Sequence, residues 1–200
     1  MDAIIFDLGN VLLPFNWDLA ADKFCARTGR SRRELDDYMV TMPFAHELSL
    51  GLKTKEEFYR LMAQDFGFDG DYEEFALIWS DIFTGDEAMI ALAAQLKGRY
   101  RRFILSNTNP IHMDFILARY PFMQTFEGLI LSHEVGLLKP DRRIYELTLE
   151  RFGLEAAQSV FIDDILANVE GAQAVGIHGI HHTDARRTRE ELTKLGIAGI

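Results

Sequence analysis

Short apolar runs separated by longer helical patterns define this chain. The run Ala3–Phe6 has four consecutive apolar residues, which is typical of a strand buried on both faces of a sheet. Four later runs have the same character, and a helical pattern follows each of them: Arg102–Leu105, Gly128–Leu131, Val160–Ile162 and Ile177–Ile180. Strands that alternate with helices predict an α/β fold with a doubly wound parallel sheet.

The segment between the first strand and residue 86 has a different pattern, because helical spacing replaces strand-like runs. Ser31 with Glu34, and Thr54 with Glu57, form capping boxes that open two of its helices. We predict about four helices here: Trp17–Thr28, one from Ser31 through Val40, one from Thr54 through Phe66, and Tyr72–Phe83. The chain therefore divides into an α/β core of residues 1–14 and 86–200 and an all-α insertion of residues 15–85.

Three further helices of the core have clear boundary signals. Asp86 caps a helix that Gly98 ends, and Pro140 stands at an early position of a helix that Gly153 closes. The last helix is predicted at Arg186–Leu195.

Composition and charge narrow the function classes. The net charge of −10 disfavours nucleic acid and anionic membrane surfaces as partners. No apolar run approaches the roughly 18 residues that a membrane span needs, and the first residues lack the pattern of a secretory signal. The only cysteine, Cys25, lies on an apolar helix face, where we expect it to pack. These features lead us to expect a cytoplasmic protein.

Polar residues follow several of the predicted strands. Asp7 ends the first strand, Ser106 ends the second, and Asp163 and Asp164 end the fourth, while Lys139 lies in a loop before a helix. If each of these residues is considered separately, a simpler explanation is available: it is a helix cap or a solvated loop residue. Because the carboxyl ends of parallel strands meet at one edge, we expect these groups to converge. Two adjacent acids favour a bound cation, since like charges held close raise each other's pKa.

Four sequence stretches resemble the motifs of the haloacid dehalogenase-like hydrolase superfamily: FDLGNVLL, LSNTN, LLKPD and FIDDILANVEGA. The resemblance covers essentially all 200 residues, and it implies a Rossmann-like core with the helical insertion as a C1-type cap. FDLGNV and LSNTN are most similar to a subgroup of sugar-phosphate phosphatases that includes α-D-glucose-1-phosphate phosphatases.

The resemblance implies catalytic and phosphate-binding roles at four positions. Asp7 matches the nucleophile that attacks phosphorus and forms an aspartyl-phosphate. Lys139 matches the lysine that neutralises the nucleophile and the transferring phosphoryl group. Ser106 matches the hydroxyl that binds a phosphoryl oxygen, with the backbone amide of Asn107 beside it.

The resemblance also implies a Mg²⁺ cofactor. Its ligands would be Asp7, the backbone carbonyl of Gly9, Asp164, and Asp163 either directly or through water. Phosphoryl transfer depends mainly on positioning and charge neutralisation, and Mg²⁺ prefers oxygen ligands, so the chemistry agrees with these residue types.

One position departs from the usual pattern of the family's phosphatases. Gly9 stands where they carry a second aspartate, which protonates the leaving group and activates water. General acid–base catalysis commonly contributes about 10²–10⁴-fold in rate. The leaving group is therefore stabilised in another way, or turnover is slow, or the reaction is not phosphate hydrolysis.

These residues predict a Mg²⁺-dependent phosphatase that acts on a small phosphorylated metabolite, in the first instance a sugar phosphate. Two alternatives stay open because of Gly9: a 2-haloacid dehalogenase, and a weakly catalytic protein that binds a phosphometabolite. The acid pair Asp163–Asp164 favours phosphate, because the dehalogenases of this superfamily need no Mg²⁺.

Other polar residues have weaker functional signals. His46, Glu47 and Asn16 are candidates to replace the missing acid, although surface positions are the simpler expectation for all three. His181 and His182 lack a third ligand at a suitable spacing, so we interpret them as loop residues and not as a zinc site.

Overall fold

Five strands form a single parallel sheet in the computed structural model, which describes residues 1–200. The strands are β1 (Ala3–Phe6), β2 (Arg101–Ser106), β3 (Gly128–Leu131), β4 (Ser159–Asp163) and β5 (His178–His181). Their order in the sheet is β3-β2-β1-β4-β5, and every neighbouring pair is parallel. The predicted doubly wound parallel sheet is confirmed.

The first strand, β1, occupies the centre of the sheet. Phe6 pairs with Ile104 of β2 on one side and with Ile162 of β4 on the other. The chain builds outward through β2 and β3, then crosses β1 and continues through β4 and β5. This reversal is a topological switch point, where the loops after neighbouring strands leave in opposite directions and open a crevice at the carboxyl edge.

Eleven α-helices accompany the sheet. They are α1 (Trp17–Thr28), α2 (Arg32–Thr41), α3 (Phe44–Ser49), α4 (Lys55–Phe66), α5 (Tyr72–Ser80), α6 (Glu87–Gln95), α7 (Pro110–Arg119), α8 (Ser132–Val135), α9 (Arg142–Phe152), α10 (Leu166–Gln173) and α11 (Ala185–Lys194). Short 3-10 helices at Pro121–Thr125 and Ala156–Gln158 precede β3 and β4. No helix has the length and apolar character needed to cross a membrane.

Both faces of the sheet are buried under helices. Alternate residues of β1 belong to different apolar clusters, with Ile4 and Phe6 on one face and Ala3 and Ile5 on the other. Helices α6, α7 and α11 contribute to the first cluster, and α9 and α10 contribute to the second. A strand enclosed in this way must be apolar throughout, which explains the continuous apolar run Ala3–Phe6.

The helices between β1 and α6 have an aromatic core of their own. Phe24, Phe58, Phe75 and Trp79 pack together at its centre, and Ile111 of α7 joins the same cluster. Five helices form this insertion instead of the four that the pattern predicted. The missing one is α3, whose six residues are too few to show a helical period. The domain boundaries at residues 14/15 and 85/86 stay a prediction.

Helix capping follows the sequence closely, with two exceptions. Helix α6 has the predicted N-cap Asp86, but it ends at Gln95 with Leu96 as its C-cap, so the prediction that Gly98 ends it was wrong. The capping boxes at Ser31 and Thr54 both form. The prediction that Pro140 lies within a helix was wrong, because α9 begins at Arg142. The carboxylate of Asp141 is its N-cap and accepts a hydrogen bond from the backbone N–H of Arg143 at 2.9 Å.

Two short segments connect the insertion to the core, and they pair with each other. Phe15 forms an antiparallel bridge with Phe83, and the backbone N–H of Thr84 donates to the carbonyl of Pro14 at 2.8 Å. This pairing explains why α5 ends at Ser80 and not at Phe83 as predicted: Asp81 and Ile82 form a turn, and Phe83 already belongs to the bridge. The insertion is thereby attached right beside the carboxyl end of β1.

A close backbone contact between the insertion and the core gives a testable consequence. Gly51 has a φ of +69°, and a Cβ at this position would collide with the carbonyl oxygen of His133 in α8. Gly67 has nearly the same φ, +70°, but open space around it. We expect Gly67→Ala to lower the free energy of unfolding by about 1–2 kcal/mol, the penalty of the left-handed conformation alone. Gly51→Ala should lower it further.

Urea denaturation of the two variants measures the difference between them. Equal losses would show that the contact between Gly51 and His133 is not part of the native packing.

Candidate active site

Asp7 extends the central strand by one residue, at the switch point of the sheet. Its backbone N–H donates to the carbonyl of Ile162 at 2.8 Å, so the hydrogen bonding with β4 continues to this residue. The loop that follows folds back at once, because the N–H groups of Leu12 and Leu13 both donate to the carbonyl of Leu8. The Asp7 side chain is held in the crevice and is buried.

A buried lysine neutralises this carboxylate. Lys139 Nζ lies 2.8 Å from Asp7 Oδ1 and 2.6 Å from Asp163 Oδ2, and it also donates to the carbonyl of Leu105 at 3.1 Å. The side chain of Lys139 is only 1 % exposed. Three acceptors therefore surround an ammonium group that is closed off from solvent, which fixes its position.

The charges at this edge do not balance. The pKa of the Asp7 carboxyl is raised to about 6, mainly by burial; Lys139 opposes this shift and the nearby Asp163 charge adds to it. Oxygens of Asp7, Asp163 and Asp164 all lie within 4.8 Å of one another. Three carboxylates beside one ammonium group leave excess negative charge, which a bound cation would offset.

Asp163 is committed to hydrogen bonds within the protein. Its Oδ1 accepts from the backbone N–H of Ile165 at 2.8 Å and from Asn168 Nδ2 at 3.0 Å, and its Oδ2 accepts from Lys139. The side chain is fully buried. In this arrangement Asp163 orients the lysine, and its predicted contact with a metal ion stays a prediction.

Asp164 faces the crevice and is held by Asn10, which was not among the predicted site residues. Asn10 Nδ2 donates to Asp164 Oδ2 at 3.1 Å. Asn10 is the only non-glycine residue with a positive φ, 53°, a conformation that Asn tolerates better than most residues. The signal in the sequence was an Asn directly after Gly9, in a turn between two apolar runs.

The residues at this edge fit a hard divalent cation. Asp7, Asp164 and Gly9 line one cavity of about 160 Å³, together with Asn10 and Lys139. Carboxylate and carbonyl oxygens in a partly open site are the ligands that Mg²⁺ prefers, with water completing its shell. The structure thus contains the oxygen donor set that the predicted Mg²⁺ cofactor requires.

Ser106 and Asn107 present two donors at the end of β2. The Ser106 hydroxyl and the backbone N–H of Asn107 make no hydrogen bond within the protein. The Asn107 side chain serves another purpose, since its Oδ1 accepts from the N–H of Lys139 at 2.8 Å and its Nδ2 donates to the Lys139 carbonyl at 2.9 Å. This amide therefore positions the lysine loop, a role that the sequence did not reveal.

The space beside Gly9 is filled by an aromatic ring. A Cβ at residue 9 would lie 3.3 Å from Phe15 Cε1, which is closer than most such contacts. A larger side chain at this position would require Phe15 to move. The position of the Phe15 ring therefore depends on the absence of a side chain at residue 9.

Most of the weaker candidates lie away from the site. His46 is exposed on α3, and neither it nor Glu47 lines a cavity at the sheet edge. Asn16 accepts from the N–H of Asp18 at 3.0 Å as the N-cap of α1. His181 Nε2 contacts the carbonyl of Asp164 at 2.9 Å, and His182 Nδ1 contacts Thr188 Oγ1 at 2.7 Å.

Comparison with known protein families agrees with this geometry. The family model described as haloacid dehalogenase-like hydrolase matches residues 1–176. The chain belongs to this family. The prediction of a hydrolase of this superfamily is confirmed.

Two curated relatives align with nearly the whole chain. A sesquiterpene phosphatase of Aspergillus oryzae is 30% identical over 198 residues, which is 96% of this chain and 95% of that protein. A D-ribitol-5-phosphate phosphatase of Bacteroides thetaiotaomicron is 26% identical, covering 95% of this chain and 96% of that protein.

A solved structure shares the fold of this haloacid dehalogenase-like hydrolase. It is a HAD family enzyme from Bacteroides thetaiotaomicron in complex with magnesium and inorganic phosphate, with a TM-score of 0.83 and 23% identity. The match covers 92% of this chain and 94% of that one.

The raised pKa of Asp7 predicts a pH-dependent effect on stability. In the unfolded chain this carboxyl ionises at its ordinary value of 3.8, whereas in the folded protein it ionises near a pKa of about 6. Folding therefore favours the protonated form, and stability falls as the pH rises through about 6. Asp7→Asn should stabilise the metal-free protein by about 2–3 kcal/mol at pH 8, and by much less at pH 4.

Thermal unfolding in the presence of a chelator at both pH values measures this effect, with the exposed Asp2→Asn as the control. A variant no more stable than the wild type at pH 8 would contradict the argument.

The contact between Asn10 and Asp164 predicts a specific effect on cation binding. Asn10→Gly keeps the left-handed backbone but removes the amide that holds Asp164, so we expect roughly 10-fold weaker Mg²⁺ binding. Calorimetric titration with Mg²⁺ measures it directly. Asn16→Gly, which removes an amide of the same kind from a helix cap, is the matched control and should leave Mg²⁺ affinity unchanged.

Proposed function

We propose that this hydrolase is a Mg²⁺-dependent phosphatase that hydrolyses a small phosphorylated metabolite through an aspartyl-phosphate at Asp7. The observation that carries the proposal is the buried pair of Asp7 and Lys139 within a cluster of three carboxylates. An anionic nucleophile can approach an anionic phosphate only where such charges are offset. The free donors of Ser106 and Asn107 complete a site for an oxyanion.

The named relatives support the same reaction class. One is a sesquiterpene phosphatase and the other a D-ribitol-5-phosphate phosphatase, so the two share the phosphate group and differ in the alcohol. The structural neighbour was solved with magnesium and inorganic phosphate. These names support phosphate ester hydrolysis for this chain without selecting an alcohol.

In the first step, a carboxylate oxygen of Asp7 attacks phosphorus. A new P–O bond forms to the aspartate while the bond from phosphorus to the alcohol oxygen breaks, and the alcohol leaves with a proton. Lys139 balances the charge on the nucleophile and on the transferring group, while Ser106 and the Asn107 N–H hold a phosphoryl oxygen.

In the second step, water attacks the aspartyl-phosphate, releases inorganic phosphate and restores Asp7. Covalent catalysis thus divides the hydrolysis into two easier steps. The Mg²⁺ ion would be held by Asp7, Asp164 and the Gly9 carbonyl, with Asp163 in contact directly or through water. When bound, it neutralises part of the phosphoryl charge.

The proton for the departing alcohol has no side-chain source at residue 9. We assign it to a water molecule in the open crevice, because Gly9 offers no acid and Phe15 occupies the adjacent space. The expected consequence is a slower reaction with alcohols that leave poorly, within the range of about 10²–10⁴-fold that such catalysis contributes. The inserted helices, residues 15–85, act in this proposal as a cap over the crevice.

Substitution of the nucleophile tests the proposal. Asp7→Asn should abolish phosphate release from p-nitrophenyl phosphate and from natural esters while the protein stays folded, as judged by circular dichroism. Asp2→Asn is the matched control. Retained turnover in the Asp7 variant would refute the nucleophile.

Chelation separates phosphate hydrolysis from dehalogenation. A phosphatase of this kind loses activity in EDTA and regains it with Mg²⁺. Halide release from 2-chloropropionate that is indifferent to EDTA would instead support the dehalogenase alternative. Ligand-induced stabilisation without release of phosphate or halide would support a binding protein.

A further inference from the structure

A second cavity, of about 240 Å³, adjoins the one that contains Asp7. Gly9, Phe15 and Asn107 line both cavities, and Ser106 lines the second. A phosphoryl group that faces Asp7 and bonds to Ser106 would therefore lie at the boundary between the two cavities. The second cavity is then the adjoining space available to the alcohol of a phosphate ester.

The wall of the second cavity is mainly apolar. Its apolar side chains come from the loop after β1, the paired linking segments, α1 and α7: Leu8, Phe15, Trp17, Ile82, Phe83 and Ile116. No acidic side chain, lysine or arginine lines it. His112 is its one titratable residue, and burial lowers the pKa of this imidazole to about 4, so it is neutral at pH 7.

Several polar side chains on this wall already have partners within the protein. Ser49 Oγ donates to the carbonyl of Ala45 at 3.0 Å, and Asn109 Oδ1 accepts from the N–H of His112 at 3.0 Å. His112 Nδ1 contacts Ser80 Oγ at 3.2 Å. The Asn107 amide is occupied by the backbone of Lys139.

This lining discriminates between classes of alcohol. Apart from Trp17 Nε1, the side-chain groups on this wall that have no partner within the protein belong to residues 106–112. A sugar hydroxyl that faces the apolar side chains of the wall would be buried without a partner, which is penalised. A second phosphate, as in a bisphosphate or a nucleoside diphosphate, would find no cation there.

The rim of the catalytic cavity has the same apolar character. Phe15 is 46% exposed and Ile165 is 53% exposed, and both line the cavity that contains Asp7. Large apolar side chains left open to water at the mouth of a site are consistent with an apolar ligand that covers them.

We propose that the substrate is the phosphate monoester of an uncharged, largely apolar alcohol, whose carbon skeleton occupies the cavity between Phe15 and Ile116. The proposal rests on the phosphatase function above and names the substrate class of that site. The cavity has room for about eight water-sized groups, which sets the size of the skeleton to a similar number of carbon atoms.

A series of alkyl phosphates tests the proposal, with ethyl, butyl, hexyl and octyl phosphate compared in Mg²⁺ buffer. We expect kcat/KM to rise by up to about fourfold per added methylene until the cavity is filled. The gain should come mainly through a lower KM, because burial of the chain is equal in the ground and transition states. Glucose 6-phosphate, with the same carbon number as hexyl phosphate, should be the poorer substrate by at least tenfold.

Two exposed residues provide matched variants. Phe15→Ser removes an apolar wall, so it should reduce the ratio of kcat/KM for hexyl and ethyl phosphate. Leu19→Ser changes a residue of α1 that is similarly exposed, 45%, but lines neither cavity, and it should leave this ratio unchanged. Because the ratio is taken within one variant, any effect on the phosphoryl site cancels.

The outcomes distinguish the two proposals. A flat alkyl series with faster turnover of glucose 6-phosphate would overturn the apolar class and leave the phosphatase intact. If no ester, including p-nitrophenyl phosphate, released phosphate, the phosphatase proposal would fail. Calorimetric binding of hexylphosphonate and methylphosphonate would then still test the cavity: tighter binding of the hexyl compound supports it, and equal binding overturns it.

Discussion

The ion pair between Asp7 and Lys139, shared with Asp163, is the interaction on which the rest of this site depends. A buried carboxylate and a buried ammonium group would each be costly alone, and together they are stable only because Lys139 and Asp163 have further hydrogen-bond partners within the protein. These partners come from the ends of β2 and β4 and from α10, which follows β4: Leu105, Asn107, Ile165 and Asn168. The parallel sheet is what brings these segments to one point, so the fold and the charge network require each other.

The site divides its chemistry between two neighbouring cavities. The charged cavity beside Asp7 contains the groups that suit a phosphoryl transfer, and they come from the α/β core. The apolar cavity beside it is lined in part by Trp17 of α1 and by the segments that link the insertion to the core. Gly9 and Phe15 stand between the two cavities and line both. Since residue 9 has no side chain, Phe15 can lie against the loop after β1, and this position becomes part of an apolar wall. The absence of an acid at residue 9 and the presence of the wall thus have one structural cause.

The strands of the parallel sheet and most of the helices could be predicted from the sequence, because buried parallel strands and capped amphipathic helices leave local patterns, whereas the order of the strands came from the structure. The capping boxes at Ser31 and Thr54 are examples, since each depends on residues only three positions apart. The errors occurred where local signals were weak or in competition. Helix α3 is too short to show a period, and the start of α9 depends on Asp141 as a cap rather than on the proline before it. The predicted site residues converge at one edge, but their individual roles in metal and phosphate binding stay predictions.

The sequence by itself determined the fold class, the family and the candidate residues Asp7, Ser106, Lys139, Asp163 and Asp164, because each of these is encoded by a motif within a few residues. Tertiary structure alone decided which groups touch. It placed the Asn107 side chain on the lysine loop, Asp163 on the lysine ammonium, Asn10 on Asp164, and an apolar cavity next to the phosphoryl site. The physical reason is distance along the chain: hydrogen bonds between residues 32 or 154 positions apart, and a cavity wall drawn from four segments, leave no periodic or local trace in the sequence.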